Sequence, residues 1–196
     1  MNFAAVARTI WRWVRWPLVV LVVLYVALVL YRIPAVIEKE KTAETIQFIQ
    51  SQRLTMEHVD GTHLPPPPDP ALADATIEGI DANGNGIRDD VELAIFEKYQ
   101  NDIKVRAATL QYAKALQTLI TRANNETTWV AATQEKGRGF GCIFDVSNGD
   151  NVYSDRIAEV EDLVFNTETR QEHSGSIERY RTSFTVLSGG DCDLSV

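Results

Sequence analysis

The chain has 196 residues, with 19 lysines and arginines against 27 aspartates and glutamates and a formal charge of −8. That length holds one small domain with appendages, and the acidic balance excludes a nucleic-acid-binding surface, which requires the opposite sign. The charge is unevenly spread. The first 32 residues carry four arginines (Arg8, Arg12, Arg15, Arg32) and no acid, so residues 33–196 hold 15 basic and 27 acidic groups, a net of −12. A basic protein or a cation is the partner such a surface selects.

Residues 1–33 read as a membrane anchor. Trp16 to Tyr31 contains no charge; as a helix it spans about 24 Å, somewhat less than a ~30 Å hydrocarbon core. Snorkelling arginines and the stretch from Ile33 to Ile37 make up the difference. Trp11, Trp13 and Trp16 suit an aromatic belt at one interface and Tyr31 at the other. Phe3, Ile10, Trp13 and Val14 suit first turns lying on the membrane surface. The run exceeds a signal-peptide core, and Ile33-Pro34-Ala35 is a poor cleavage site, so the segment reads as an uncleaved signal-anchor. Basic residues flank it evenly, Arg8, Arg12 and Arg15 against Arg32, Lys39 and Lys41, and the free amino terminus tips the balance to N-terminus inside. The expected location is the inner membrane of a bacterial-type envelope: single-pass, N-terminus cytoplasmic, C-terminal domain periplasmic.

Residues 34–61 read as a polar juxtamembrane helix with a narrow apolar stripe of Ala43, Ile46, Ile49, Met56 and Val59, ended by Gly61. Two readings stay open: a helix that packs back on the domain, or a stalk that self-associates with a second copy. Residues 62–70, with Pro65-Pro66-Pro67-Pro68-Asp69-Pro70, form a stiff polyproline linker.

Residues 71–196 form the main domain, and its sharpest motif comes first. In Asp81-Ala-Asn83-Gly-Asn85-Gly86-Ile87-Arg88-Asp89-Asp-Val-Glu92, oxygen-bearing side chains alternate with turn residues before a helical stretch. Asp89 and Glu92 alone would make an acidic helix cap, and Asn83-Gly84 and Asn85-Gly86 alone are turn dipeptides. Neither accounts for oxygens at loop places 1, 3, 5, 9 and 12 with glycine at 6. The stretch resembles the solitary EF-hand-like calcium loop of dockerin modules and thrombospondin type 3 repeats. That resemblance implies a structural Ca²⁺ held by side chains of Asp81, Asn83, Asn85, Asp89 and Glu92 and by the backbone carbonyl of Ile87. With two neutral amides among the ligands, the implied dissociation constant is about 10⁻⁴ M or weaker, suited to an extracytoplasmic compartment. Two departures stand out: Arg88 occupies the place of an aliphatic residue, and the entering segment, with Thr76, Ile77 and Gly79, is short. No second loop follows, so a paired calcium sensor is not implied.

Beyond the loop the apolar spacing is helical throughout. Val91, Ala94, Ile95 and Tyr99 mark an exit helix, and Ile103, Ala107, Leu110, Ala113, Leu116 and Ile120 a core helix stopped at Asn124-Asn125. A weaker helix runs from Glu126 to Lys136, where Gly137, Gly139 and Gly141 argue against extension toward Asp145. After a turn at Asn148-Gly149-Asp150-Asn151, Ile157, Val160 and Val164 give another stripe. Asn166 to Arg170 reads as an ordinary capped helix entrance. Ile177, Tyr180, Phe184 and Leu187 give a last stripe, stopped at Gly189-Gly190. The expected fold is all-α, a small irregular bundle.

Cys142 and Cys192 are the only cysteines, and an exported chain would join them as a disulfide worth roughly 4 kcal/mol by loop closure. No nucleophile elbow, phosphate loop or zinc motif occurs. The expected role is therefore non-enzymatic, a membrane-anchored binding or scaffolding module. The alternative is an inhibitor or immunity protein for an envelope toxin or hydrolase.

Overall fold

The computed structural model describes residues 3–148, 150–185 and 191–195, without the side chains of residues 3–10 and 12–14. Among these the chain is all-α. Eight α-helices follow in order: α1 (Phe3–Ser51), α2 (Met56–Val59), α3 (Pro70–Ala73), α4 (Asp89–Lys98), α5 (Ile103–Arg122), α6 (Glu126–Val146), α7 (Val152–Val164) and α8 (Glu168–Ile177), then a 3₁₀ turn at Glu178–Tyr180. The chain divides into two compact units, Met1–Ala43 and Glu44–Val196; the division falls inside the expected juxtamembrane helix.

In the first unit, α1 holds the apolar run and is long and apolar enough to cross a membrane. Side chains from Trp16 to Tyr31 are exposed throughout, as lipid contact requires. Pro17 and Pro34 lie within the helix without ending it. The expected surface-lying side chains Phe3, Ile10, Trp13 and Val14 lie outside the described side chains.

In the second unit α5 is the centre. The expected stripe is largely buried, as are Thr109, Tyr112 and Lys114 on its other faces, because α6, α7, α4 and α8 surround it. Ile49, Leu54 and Val59 all join this core, so the stretch from residue 44 onward packs on the domain. The expected single helix to Val59 breaks after Ser51. Leu54 turns inward, its N–H donates to Asp193 Oδ2 at 3.0 Å, and α2 restarts at Met56.

Helix α6 runs ten residues beyond the expected Lys136, through Gly137, Gly139 and Gly141. Tertiary contact supplies the reason at Gly139, where a Cβ would stand 2.9 Å from the Tyr112 Cα of α5. The absent side chain lets the two helices approach. At Gly137 a Cβ would meet no atom of the described residues within 4 Å. Gly139→Ala is therefore expected to cost about 1–3 kcal/mol through overpacking, and Gly137→Ala to gain up to about 1 kcal/mol of helix propensity, as read from urea unfolding midpoints.

The last expected helix does not form as such. A 3₁₀ turn ends at Tyr180, and residues 181–185, including Phe184, carry no helix. Leu187, Gly189-Gly190 and Gly149 of the expected turn lie outside the described residues. The tail returns to the core at Cys192, bonded to Cys142 across a Cα–Cα distance of 4.7 Å. Asp193 secures it: Arg138 donates to its carboxylate at 2.9 Å, and its own N–H donates to Gln111 Oε1 at 2.8 Å.

Candidate metal centre

The calcium-like loop, residues 81–92, follows α3 and runs into the first turn of α4, and the structure places its six expected ligands in two groups. Asp81 and Asn83 are exposed; Asn85, Ile87, Asp89 and Glu92 are buried. Gly84 and Gly86 take φ of +70° and +85°, left-handed values that glycine adopts without strain, and these bends fold the carboxylates back over the loop. The Asp81 carboxylate accepts from the N–H groups of Asn85 (3.1 Å) and Gly86 (2.8 Å). Asn83 Oδ1 also accepts from Asn85 N–H at 3.2 Å, and Asn85 Oδ1 from Ile87 N–H at 2.8 Å. Each short side chain thus orders the turn that follows it.

The far end is closed by α4. Asp89 and Glu92 lie in its first turn, where the helix dipole favours negative charge. Asp89 Oδ1 accepts from Ala82 N–H at 2.9 Å, while its Oδ2 is buried without a hydrogen-bond partner. Glu92 Oε2 accepts from Asn83 Nδ2 at 3.0 Å, and the same amide donates to the His63 carbonyl at 3.0 Å, which ties the linker to the loop. Among the described residues Asn85 Nδ2 is also buried without a partner. Burial pushes the pKa of Glu92 above the ordinary carboxylate range, with the Asn83 hydrogen bond opposing and the charges of Asp81 and Asp89 adding. Burial raises Asp89 likewise, the Ala82 hydrogen bond opposing.

The loop therefore gathers the expected residues, but the carboxylates do not close on one point. Among the described residues no three histidine, cysteine, aspartate or glutamate side chains stand as a group that could hold a metal ion. Asp81, Asp89 and Glu92 repel one another, which favours this spread. Lys114 of α5 crosses the loop at Gly86, where a Cβ would meet its Cε at 3.1 Å. Burial lowers the pKa of its ammonium, against the raising effects of Asp193 and Asp81.

Three buried arginines hold the surroundings, and composition gives no sign of them. Arg88, the residue that departs from the loop pattern, is 1% exposed. It donates to the Val164 and Leu163 carbonyls at 3.1 and 2.8 Å, closing the C-terminus of α7, and to Asp90 and Asn166. Arg170, 0% exposed, does the same for the short α3: it donates to the carbonyls of Ala73, Thr76 and Ile77 and to Asp74 and Asn166. Arg106 donates to the carbonyls of Val59, Tyr99 and Gln100 at the ends of α2 and α4. Each guanidinium satisfies carbonyls that a helix end leaves open. Asn166, shared by Arg88 and Arg170, joins the loop to the entering segment 73–77. Arginine at the aliphatic place of the loop pattern was the one sequence signal of this arrangement. Thr167 caps α8 as expected, accepting from Arg170 N–H at 3.3 Å.

Compared with protein-family models, curated proteins and solved structures, the chain matches none.

Proposed function

We propose that this chain is a membrane-tethered, exported helical module whose loop 81–92 takes up one Ca²⁺ in a structural role, and that it serves as a binding or scaffolding element at a bacterial-type envelope. The observation that carries the calcium reading is the buried, unpartnered Asp89 Oδ2 beside the buried Glu92 carboxylate. A buried anionic oxygen with no donor costs several kcal/mol, and a hard cation is the partner that suits it. Asp81, Asn83 and Asn85 and the Ile87 carbonyl complete an all-oxygen set, and Ca²⁺ would replace the Asn83 amide as the partner of Glu92. Bound there, the ion fixes how α4 leaves the linker.

The apolar exposed run of α1 supports the single-pass tether. The disulfide and a weak calcium loop both suit an oxidising, calcium-rich outer compartment. The acidic domain favours a basic protein as partner.

Titration calorimetry of the purified full chain tests the ion directly. Ca²⁺ should bind at one site with a dissociation constant of about 10⁻⁴ M, and Asp89→Asn should weaken it by roughly tenfold or more; no heat above the Ca²⁺-into-buffer blank refutes the site. For the tether, a periplasm-dependent reporter such as alkaline phosphatase fused after Val196 should be active. Activity only from a cytoplasm-dependent reporter at that point reverses the topology.

A further inference from the structure

One face of α5 lies against the calcium-like loop. Gln117 Nε2 donates to the Glu78 carbonyl at 2.8 Å, which pins the segment entering the loop to the helix. One turn earlier, Lys114 crosses at Gly86, where its Cε would stand 3.1 Å from an added Cβ. Gly86 sits between two of the expected ligands, Asn85 and Ile87, and its missing side chain is what lets the lysine pass so close. Lys114, Gly86 and Asp81 line one cleft of about 230 Å³.

Lys114 is 6% exposed, and a lysine is seldom buried so far without a paired charge. Burial lowers the pKa of its ammonium, and the carboxylates of Asp193 and Asp81 oppose this through space, with no hydrogen bond to either. Asp193 is already held by Arg53 and Arg138. Among the described residues the Asp81 carboxylate accepts only from the backbone N–H groups of Asn85 and Gly86. The uncommitted negative charge beside Lys114 is therefore that of the loop. A buried charge is weakly screened by salt, and its field acts over several ångströms at protein dielectric.

We infer that Lys114 is the built-in counter-cation of the loop and sets its calcium affinity. With no ion bound, its ammonium offsets the acidic ligands; when Ca²⁺ enters, the same charge opposes it and keeps binding weak. This role rests on loop 81–92 taking up Ca²⁺ as proposed above.

Titration calorimetry of the purified full chain with Ca²⁺ at neutral pH tests it. Lys114→Met, which keeps the aliphatic stem, should bind Ca²⁺ about tenfold more tightly than the parent, and Lys114→Gln should repeat the gain. Lys114→Met should also keep its thermal transition in chelator, because removing a buried charge that has no direct partner leaves no other charge stranded. Lys114→Arg keeps the charge and should stay within about twofold of the parent. Lys104→Met removes an equal charge from an exposed position on the same helix and should also stay within about twofold. Calcium binding by the parent with no gain in either neutral variant overturns the role of Lys114 and leaves the calcium reading standing. An equal gain from Lys114→Arg or Lys104→Met overturns it too, because packing or net charge would then be the cause. No binding by the parent or any variant removes the calcium site itself, and the role of Lys114 with it.

Discussion

Arg170→Ala is expected to lower the unfolding free energy by about 3–5 kcal/mol, the scale for removing one partner of a buried charged network, and Arg88→Ala by a similar amount. The loss comes less from the guanidinium's own contacts than from what remains. Without Arg170 the carbonyls of Ala73, Thr76 and Ile77 lose a buried donor, and an unsatisfied buried group costs roughly 1–3 kcal/mol each. Lysine should rescue only part, because one ammonium cannot reproduce the planar fork that meets three carbonyls, Asp74 and Asn166 together. Arg181, 76% exposed on its side chain and 3.8 Å from Glu178, provides the control: its alanine variant should stay within about 0.5 kcal/mol of the parent. Urea unfolding monitored by circular dichroism reads all four variants. A fall in midpoint with unchanged slope reports stability alone. Near-parent stability of Arg170→Ala would mean that water replaces the guanidinium, and the two arginines would lose their structural assignment.

The double variant Asp81→Ala with Glu92→Ala should lower the melting temperature in calcium and barely change it in chelator. At a Ca²⁺ concentration a hundred times the dissociation constant, binding contributes about 2.7 kcal/mol, which corresponds to roughly 5–10 °C for a chain of this size. An equal loss in both conditions would reduce these residues to helix caps. The pH dependence separates the two readings further. Burial holds Asp89 and Glu92 above the ordinary carboxylate range, so the folded chain binds these protons more tightly than the unfolded one. In chelator, stability should therefore rise as pH falls through the raised folded-state values, with the gain complete below the unfolded values. Saturating Ca²⁺ should reverse that slope, because protons then compete with the ion for the same oxygens. Scanning calorimetry between pH 4 and 7.5 with and without chelator should show the two slopes with opposite sign.

Apolar spacing made the helical class legible, because a 3.6-residue period needs only local information. The stripes at Val91 to Tyr99, Ile103 to Ile120 and Ile157 to Val164 match α4, α5 and α7, and Asn125 proved a cap. The cysteine pair could be read from its count together with an expected oxidising compartment. Spacing also proposed the loop 81–92, and its glycine bends and aspartate-to-backbone bonds follow from that local order. The glycines of α6 misled for the converse reason. Glycine weakens a helix by its own propensity, and only the packing of Tyr112 against Gly139 shows what that weakness permits.

What the linear order of residues determined was the all-α class, the apolar run able to cross a membrane, the bridge between Cys142 and Cys192, and the loop before α4. Only the three-dimensional arrangement decided that Ile49, Leu54 and Val59 belong to the core, and that Arg88, Arg106 and Arg170 close helix ends from within. It also decided that Asp89 and Glu92 are buried. Periodicity reports which residues share a face. The donors that close α2, α3 and α7 come from far along the chain, Arg106 to Val59, Arg170 to Ala73 and Arg88 to Val164, and no local pattern carries that distance.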